Sequence, residues 1–306
     1  VLTRALPRAR RGASILEVVV TMVVGGVVLA IVGTISVRQQ RLLGELTDGV
    51  ALGGQIREAA TILPIDLRGA SAASRDIREA RDTSIELRGT IASAVICDTT
   101  RNGVVLAPAV GGAATYASFL TTIDVGDTVW VFTPADSVDD WHPYRVSGVG
   151  TPVPKQCPAR GPQLSDSDRT LPRISIDLSS PPPSLGAWIG SPVRVTRPLR
   201  YSLYRAGDGA WYLGEKDWNT TATRFNTIQP VSGPFLSAAA GGLTFMYLDS
   251  AGTTMATPVV DPGTIAAVRV RLRGQTKINA NVLGSSASTG KRIDTAAITV
   301  LLHNRR

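Results

Sequence analysis

The sequence has 306 residues, 43% of them hydrophobic and 18% charged, with 32 Lys and Arg against 24 Asp and Glu for a formal net charge of +8. That length permits one large domain or two small ones, and the apolar fraction excludes a mainly disordered chain. The 30 glycines and 19 prolines disfavour a long helical bundle and suit short strands joined by turns. Cys97, Cys157, His142 and His303 lack the spacing of zinc ligands. A pI near 10 implies a nucleic-acid or membrane-surface partner only where the charge gathers on one face, so its position matters more than its size.

Half of the net charge lies at the amino end. Residues 1–12 hold Arg4, Arg8, Arg10 and Arg11, no acid, and end in Gly12. Residues 18–37 follow without a charge; as a helix rising ~1.5 Å per residue they span a hydrocarbon core of ~30 Å. The arginines ahead of this segment predict a cytoplasmic amino end and a head on the far side of the membrane. The run passes straight into Arg38-Gln39-Gln40-Arg41, without the small-x-small site of an ordinary secretory signal. Glu17 is the exceptional residue, because a carboxylate at the lip of an apolar helix costs several kcal/mol unless something pairs with it.

The run Arg10-Arg11-Gly12-Ala13-Ser14-Ile15-Leu16-Glu17 resembles the processing site of type IV prepilins and pseudopilins. In that family a short basic leader ends in Gly, a prepilin peptidase cuts after it, and Glu is the fifth residue of the mature chain. The resemblance implies cleavage between Gly12 and Ala13, N-methylation at Ala13, and an assembly role for Glu17. Ala13 stands where the family most often has Phe, and Thr34 where major pilins tend to have Pro. The chemistry of Glu17 agrees with this implication: cleavage creates an ammonium at Ala13, which the carboxylate of a neighbouring parallel helix can neutralise. The alternative is an uncleaved signal anchor. Loss of the leader removes four arginines and leaves a formal +4, so much of the basicity is a topology signal.

The sequence-based organisation is a leader (1–12), a transmembrane helix segment (13–37), its exported continuation (38–63) and a β-rich head (64–306). The apolar positions Leu42, Leu43, Leu46, Val50, Leu52, Ile56 and Ala59 carry the helix to Leu63, where Pro64 is expected to end it. Residues 64–82 read as a second short helix or a loop. After residue 83 the period becomes two, predicting strands at 84–88, 92–97, 104–107, 128–132, 144–149, 174–178, 192–196, 199–204, 210–215, 243–248, 265–273 and 296–303. Alternation is clearest where Val268, Val270 and Leu272 interleave with Arg269, Arg271 and Arg273, and at Leu199, Tyr201 and Leu203. Gly207-Asp208-Gly209, Asp249-Ser250-Ala251-Gly252 and Asp261-Pro262-Gly263 are turn signals. Residues 154–185 are the expected long loop. The fold class is therefore α+β.

Residues 190–306 carry a second resemblance. The segments Arg200-Tyr201-Ser202-Leu203-Tyr204, Gly242-Leu243-Thr244-Phe245-Met246-Tyr247-Leu248-Asp249 and Ile265-Ala266-Ala267-Val268-Arg269-Val270, followed by a final strand, are similar to those of PilW-type minor pilins and J-type pseudopilins of type II secretion. This implies a pilin-like fold with a low-copy place at or near a filament tip. The implied partners are the peptidase, other pilin or pseudopilin subunits, the inner-membrane assembly platform and, before assembly, the lipid bilayer.

The common catalytic motifs are missing, so neither an enzyme nor a cofactor is expected. Residues 284–291 imitate a phosphate loop with the wrong spacing. Asp136, Asp139, Asp140 and His142 have no regular metal-ligand spacing, and no metal is expected. Cys97 and Cys157, outside the cytoplasm, form either a disulfide or two buried thiols. Arg269, Arg271 and Arg273 share one strand face, either as a contact for an acidic subunit or nucleic acid, or as the wet face of an edge strand. The competing function is a signal-anchored binding domain, tip adhesin or DNA-binding module.

Overall fold

An α-helix, α1 (Ile15–Gly69), opens the computed structural model, which describes residues 14–71, 75–108, 117–133, 140–150, 153–154, 171–181, 188–281 and 289–302. Strands follow as β1 (Ile77–Ala80), β2 (Ser84–Thr99), β3 (Gly103–Leu106), β4 (Ala117–Phe119), β5 (Thr128–Thr133) and β6 (Asp140–Val149). The middle of the chain gives β7 (Val153–Pro154), β8 (Pro172–Arg173), β9 (Ser175–Leu178), β10 (Pro192–Arg205), β11 (Trp211–Asn219) and β12 (Arg224–Phe225). The last are β13 (Gln229–Phe235), β14 (Leu243–Leu248), β15 (Ala267–Asn281) and β16 (Thr289–Leu301). One long apolar helix followed by a strand-rich domain makes the chain α+β.

The chain forms two compact units, one of Val1–Ala51 with Thr276–Arg292, the other of Leu52–Gln275 with Ile293–Arg306. In the first, α1 runs unbroken through Gly25, Gly26 and Gly33, whose Cα positions face open space. The hydroxyls of Thr21 and Thr34 donate to the carbonyls of Glu17 and Ile31, both at 2.8 Å. Each polar side chain is thus satisfied inside the helix, as an apolar surrounding requires.

In the second unit, α1 buries Leu52, Ile56, Ala59, Leu63 and Leu67, a helical stripe of three- and four-residue steps. These residues share a core with Leu87, Tyr201, Phe245, Val268, Val270 and Val300 of the sheet. The expected stop at Pro64 is wrong: α1 continues to Gly69 with Pro64 inside it. Proline removes one backbone hydrogen bond, but Leu63, Pro64 and Leu67 are all buried, and that packing holds the last turns in place. Within the span 64–82, residues 64–69 are accordingly the helix end and 77–80 form β1, with no second helix among the described residues.

Strands β2 and β10 pair antiparallel over nearly their whole lengths, from Pro192↔Val95 to Ser202↔Ser84. They replace the four separate strands expected at 84–88, 92–97, 192–196 and 199–204. A register shift between Val195↔Ala92 and Thr196↔Thr90 marks a bulge, where a strand bends. On one side of it, β2, β3, β9, β6, β5 and β10 hydrogen-bond in turn, and the β2–β10 pairing closes them into a ring among the described residues. Ile96, Val104, Leu106, Val129, Val131, Ile176 and Val195 fill this ring. On the other side, the same two strands join β1, β11, β13, β14, β15 and β16 against the helix. The two long strands therefore serve two cores. Part of the expected long loop at 154–185 forms β8 and β9.

The turn signals at 207–209 and 249–252 hold. Gly209, at φ 79°, turns β10 into β11, and Asp249 Oδ1 accepts from the backbone N–H groups of Ala251 and Thr253. Asp261 caps a 3-10 turn by accepting from the Gly263 N–H at 3.0 Å.

Leu63 is fully buried between helix and sheet. Leu63→Ala should lower stability by ~2–5 kcal/mol, seen as a lower urea midpoint with an unchanged slope.

Candidate functional site

The amino-terminal part of α1 carries the first candidate site. Ile15, Leu16, Val18, Val19, Val20, Met22, Val23, Val24, Val27, Val28, Leu29, Ile31 and Val32 are all exposed. Among the described residues this is the one helix long and apolar enough to cross a membrane. Apolar surface on every side of a helix needs lipid or other helices around it. Glu17 lies in the first turn of α1 and is exposed. A carboxylate there is well placed for the partial positive charge of a helix amino end, and its carbonyl already serves Thr21. Gly12 and Ala13 lie outside the described residues.

The arginine row is more integrated than the sequence suggested. Val268, Val270 and Leu272 are buried, Arg269 and Arg271 are exposed, and Arg273 is half-buried. The edge-strand expectation is wrong, since β15 pairs with β14 and with β16. Arg269 Nε donates to Thr299 Oγ1 at 3.2 Å and Arg273 Nη1 to the Ala240 carbonyl at 3.1 Å. Two of the three guanidinium groups therefore contribute to structure.

Cys97 is buried on β2 and disulfide-bonded, and no free thiol occurs among the described residues. Arg173 Nη1 lies 3.1 Å from its sulfur. Cys157, the expected partner, lies outside the described residues. So do Asp136, Asp139 and most of 284–291. Among the described residues no group of three His, Cys, Asp or Glu side chains could hold a metal ion.

Sequence reasoning missed three ion clusters of the second unit. Fully buried Asp76 pairs with Arg194 at 2.9 Å and accepts from the Ser71 N–H at 2.8 Å, while Arg194 also reaches the Gly69 carbonyl. This ties the end of α1 to the sheet. Arg88 and Arg194 both stack on the Trp130 ring, at 5.2 and 5.7 Å. Arg197 bridges Asp124 and Asp127, and Arg200 bridges Glu79 and Glu86.

A fourth missed feature joins helix to sheet through one proton. The buried Tyr201 hydroxyl is 2.5 Å from Asp66 Oδ2 on α1 and 3.1 Å from Glu215 Oε2 on β11. Asp66, Glu215 and Asp217 line a cleft of about 300 Å³ together with Arg197. A phenol has one hydrogen to donate, so the two carboxylates compete for it. Burial, reinforced by the negative charges of Asp66 and Asp217, pushes the Glu215 carboxyl above its ordinary value against the hydrogen bond from Tyr201. Burial and the two carboxylates likewise hold the Tyr201 hydroxyl far above the ordinary phenol value. No short-range sequence signal marks this trio, because Asp66 and Tyr201 are 135 residues apart.

No protein-family model, curated protein or solved structure matches the chain.

Two outcomes are expected. Because Glu215 holds its proton more tightly when folded, its contribution to stability is present below the ordinary Glu range and is lost as pH rises through the elevated value. Urea midpoints measured between about pH 4 and 7 should fall with rising pH more steeply for the wild type than for Glu215→Gln. Thiol titration of unfolded, unreduced protein should find no reactive cysteine; two reactive thiols would rule out a Cys97–Cys157 bridge.

Proposed function

We propose that this chain is a minor pilin or pseudopilin. In this reading a prepilin peptidase cleaves it after Gly12, Ala13 is N-methylated, and the mature subunit enters a type IV pilus or type II secretion pseudopilus through its amino-terminal helix. The single observation that carries the proposal is the division of labour along α1: its residues from 52 to 67 present a buried stripe to a β-rich head, while its first turns expose apolar side chains all round. A signal anchor that only tethers a soluble domain has no need of a helix built into that domain's core. Glu17 supports the same reading, since a carboxylate one turn into such a helix gains most from the ammonium of an adjacent subunit.

Before assembly the helix spans the inner membrane with its amino end in the cytoplasm and the head in the periplasm. The assembly platform then lifts it into the filament. A head this large relative to the helix fits a low-copy position at or near the tip. The competing reading, a tip adhesin or DNA-binding module, rests on the exposed guanidinium groups of Arg269 and Arg271, and would give binding that falls steeply with salt.

Glu17→Ala should remove the protein from sheared filaments while leaving its membrane-held level unchanged, and Gly12→Leu should accumulate a slower-migrating precursor. Immunoblots of the sheared and membrane fractions check both. A normal sheared fraction with Glu17→Ala would exclude assembly through this carboxylate.

A further inference from the structure

In the second unit Arg78, Arg81, Arg194, Arg197 and Arg200 each pair with a carboxylate. Among the described residues Arg269, Arg271 and Arg273 pair with none. Their strand neighbours supply no acid either. On β14, Met246 lies opposite Arg269 and Thr244 opposite Arg271. On β16, Thr299 lies beside Arg269, and antiparallel pairing sets Ala297 beside Arg271 and Thr295 beside Arg273. Asp294 belongs to the other alternate set, that of Ala296 and Ile298, which pack on the core.

Three cations thus recur at every second residue, ~7 Å apart, on a face without a countercharge, and they repel one another. Protection of a sheet edge does not account for them, because charged guards belong on edge strands and β15 has a strand on each side. Structure uses only part of the row: Arg269 commits its Nε to Thr299, and Arg273 one Nη to the Ala240 carbonyl. Arg271 is exposed and donates to no acceptor among the described residues.

We propose that this face binds an anionic polysaccharide, a linear chain with carboxylates on successive sugars. The guanidinium fork matches a carboxylate in shape and charge, and a row of forks gains from a polymer that presents many carboxylates together. Exposed Thr295 and Thr299 and half-buried Thr244 flank the row with hydroxyls able to exchange hydrogen bonds with those of a sugar. Other polyanions match it less well. Single-stranded nucleic acid binds through bases stacked on aromatic rings, and these neighbours are threonine, alanine and methionine. Duplex DNA is read by an element that enters a groove, whereas this row lies on the face of three paired strands. An acidic strand of another protein gains its backbone hydrogen bonds along a sheet edge, which β15 does not offer. Binding on β15 is independent of assembly through α1, so either can fail without the other.

Calorimetric titration of the full-length protein in a nonionic detergent tests this with four probes: octagalacturonate, neutral maltooctaose, a short DNA duplex and octaglutamate. Octagalacturonate should bind, and more weakly as salt is added; maltooctaose should not. Arg271→Gln should lower the affinity about tenfold, the loss of one charged hydrogen-bonded contact, and Arg271→Lys should lose less because it keeps the charge. Arg224→Gln, which removes an exposed arginine from β12 outside the row, should change nothing. Arg271 and Arg224 are both exposed, so circular dichroism of each variant should match the wild type. No binding of octagalacturonate, or an equal loss with Arg224→Gln, would overturn the proposal. So would a DNA duplex or octaglutamate that binds as tightly or more tightly, which would assign the face to nucleic acid or to an acidic protein instead.

Discussion

Burial of one stripe of α1 against the sheet is the constraint on which the rest of the head depends. A helix of this kind gains little from its own hydrogen bonds in water and most from packing an apolar face. Leu52, Ile56, Ala59, Leu63 and Leu67 supply that face, and the strands that cover it come from both ends of the chain, from Ile77 and Ile85 to Val300 and Leu302. Polar contacts then fix the register of helix on sheet. Ser232 Oγ donates to the Gln55 carbonyl at 2.7 Å, Tyr201 reaches Asp66, and Arg194 reaches Gly69. Gln55 and Asp66 lie beside the buried Ile56 and Leu67 of the same helix, so sliding α1 by one turn would lose both kinds of contact at once.

The long pair β2–β10 carries this constraint into the second core. Its early β10 residues Val193 and Val195 fill the closed ring, and its later residues Leu199 and Tyr201 cover the helix. The bulge near Ile91 separates the two roles. Across the bulge β2 changes from odd-numbered Ile85 and Leu87 to even-numbered Ala92, Ala94 and Ile96, while β10 keeps one alternate set throughout; both cores thereby receive apolar side chains from the same two strands. Ring closure also gives β3, β9, β6 and β5 a strand partner on both sides among the described residues.

Much of this was legible from local pattern. The period-two runs at 199–204 and 268–273 named the buried faces correctly because alternation is a local property of strands, and the Asp and Gly turn signals worked because turn chemistry acts within four residues. Pro64 misled for the opposite reason: its local cost is real, but burial of Leu63 and Leu67 on distant strands outweighs it. The interior position of β15 was equally hidden, since the partner that covers its second edge lies about 30 residues further on, as the Arg269–Thr299 contact shows. Short strands such as β1 and β4 offer too few residues for a period to register. The Tyr201, Asp66 and Glu215 trio and the buried Asp76 exist only through long-range contacts.

Glu17 and Glu215 show how one side-chain chemistry takes two solutions in one chain. Glu215 is half-buried beside Asp66 and Asp217, and burial with their charge raises its affinity for a proton against the hydrogen bond it accepts from Tyr201. Glu17 instead lies exposed in the first turn of α1, in the stretch whose side chains are apolar all round. Under the proposed assembly its partner would be the ammonium of an adjacent subunit, so the contact that Glu215 finds within its own chain Glu17 would find only between chains.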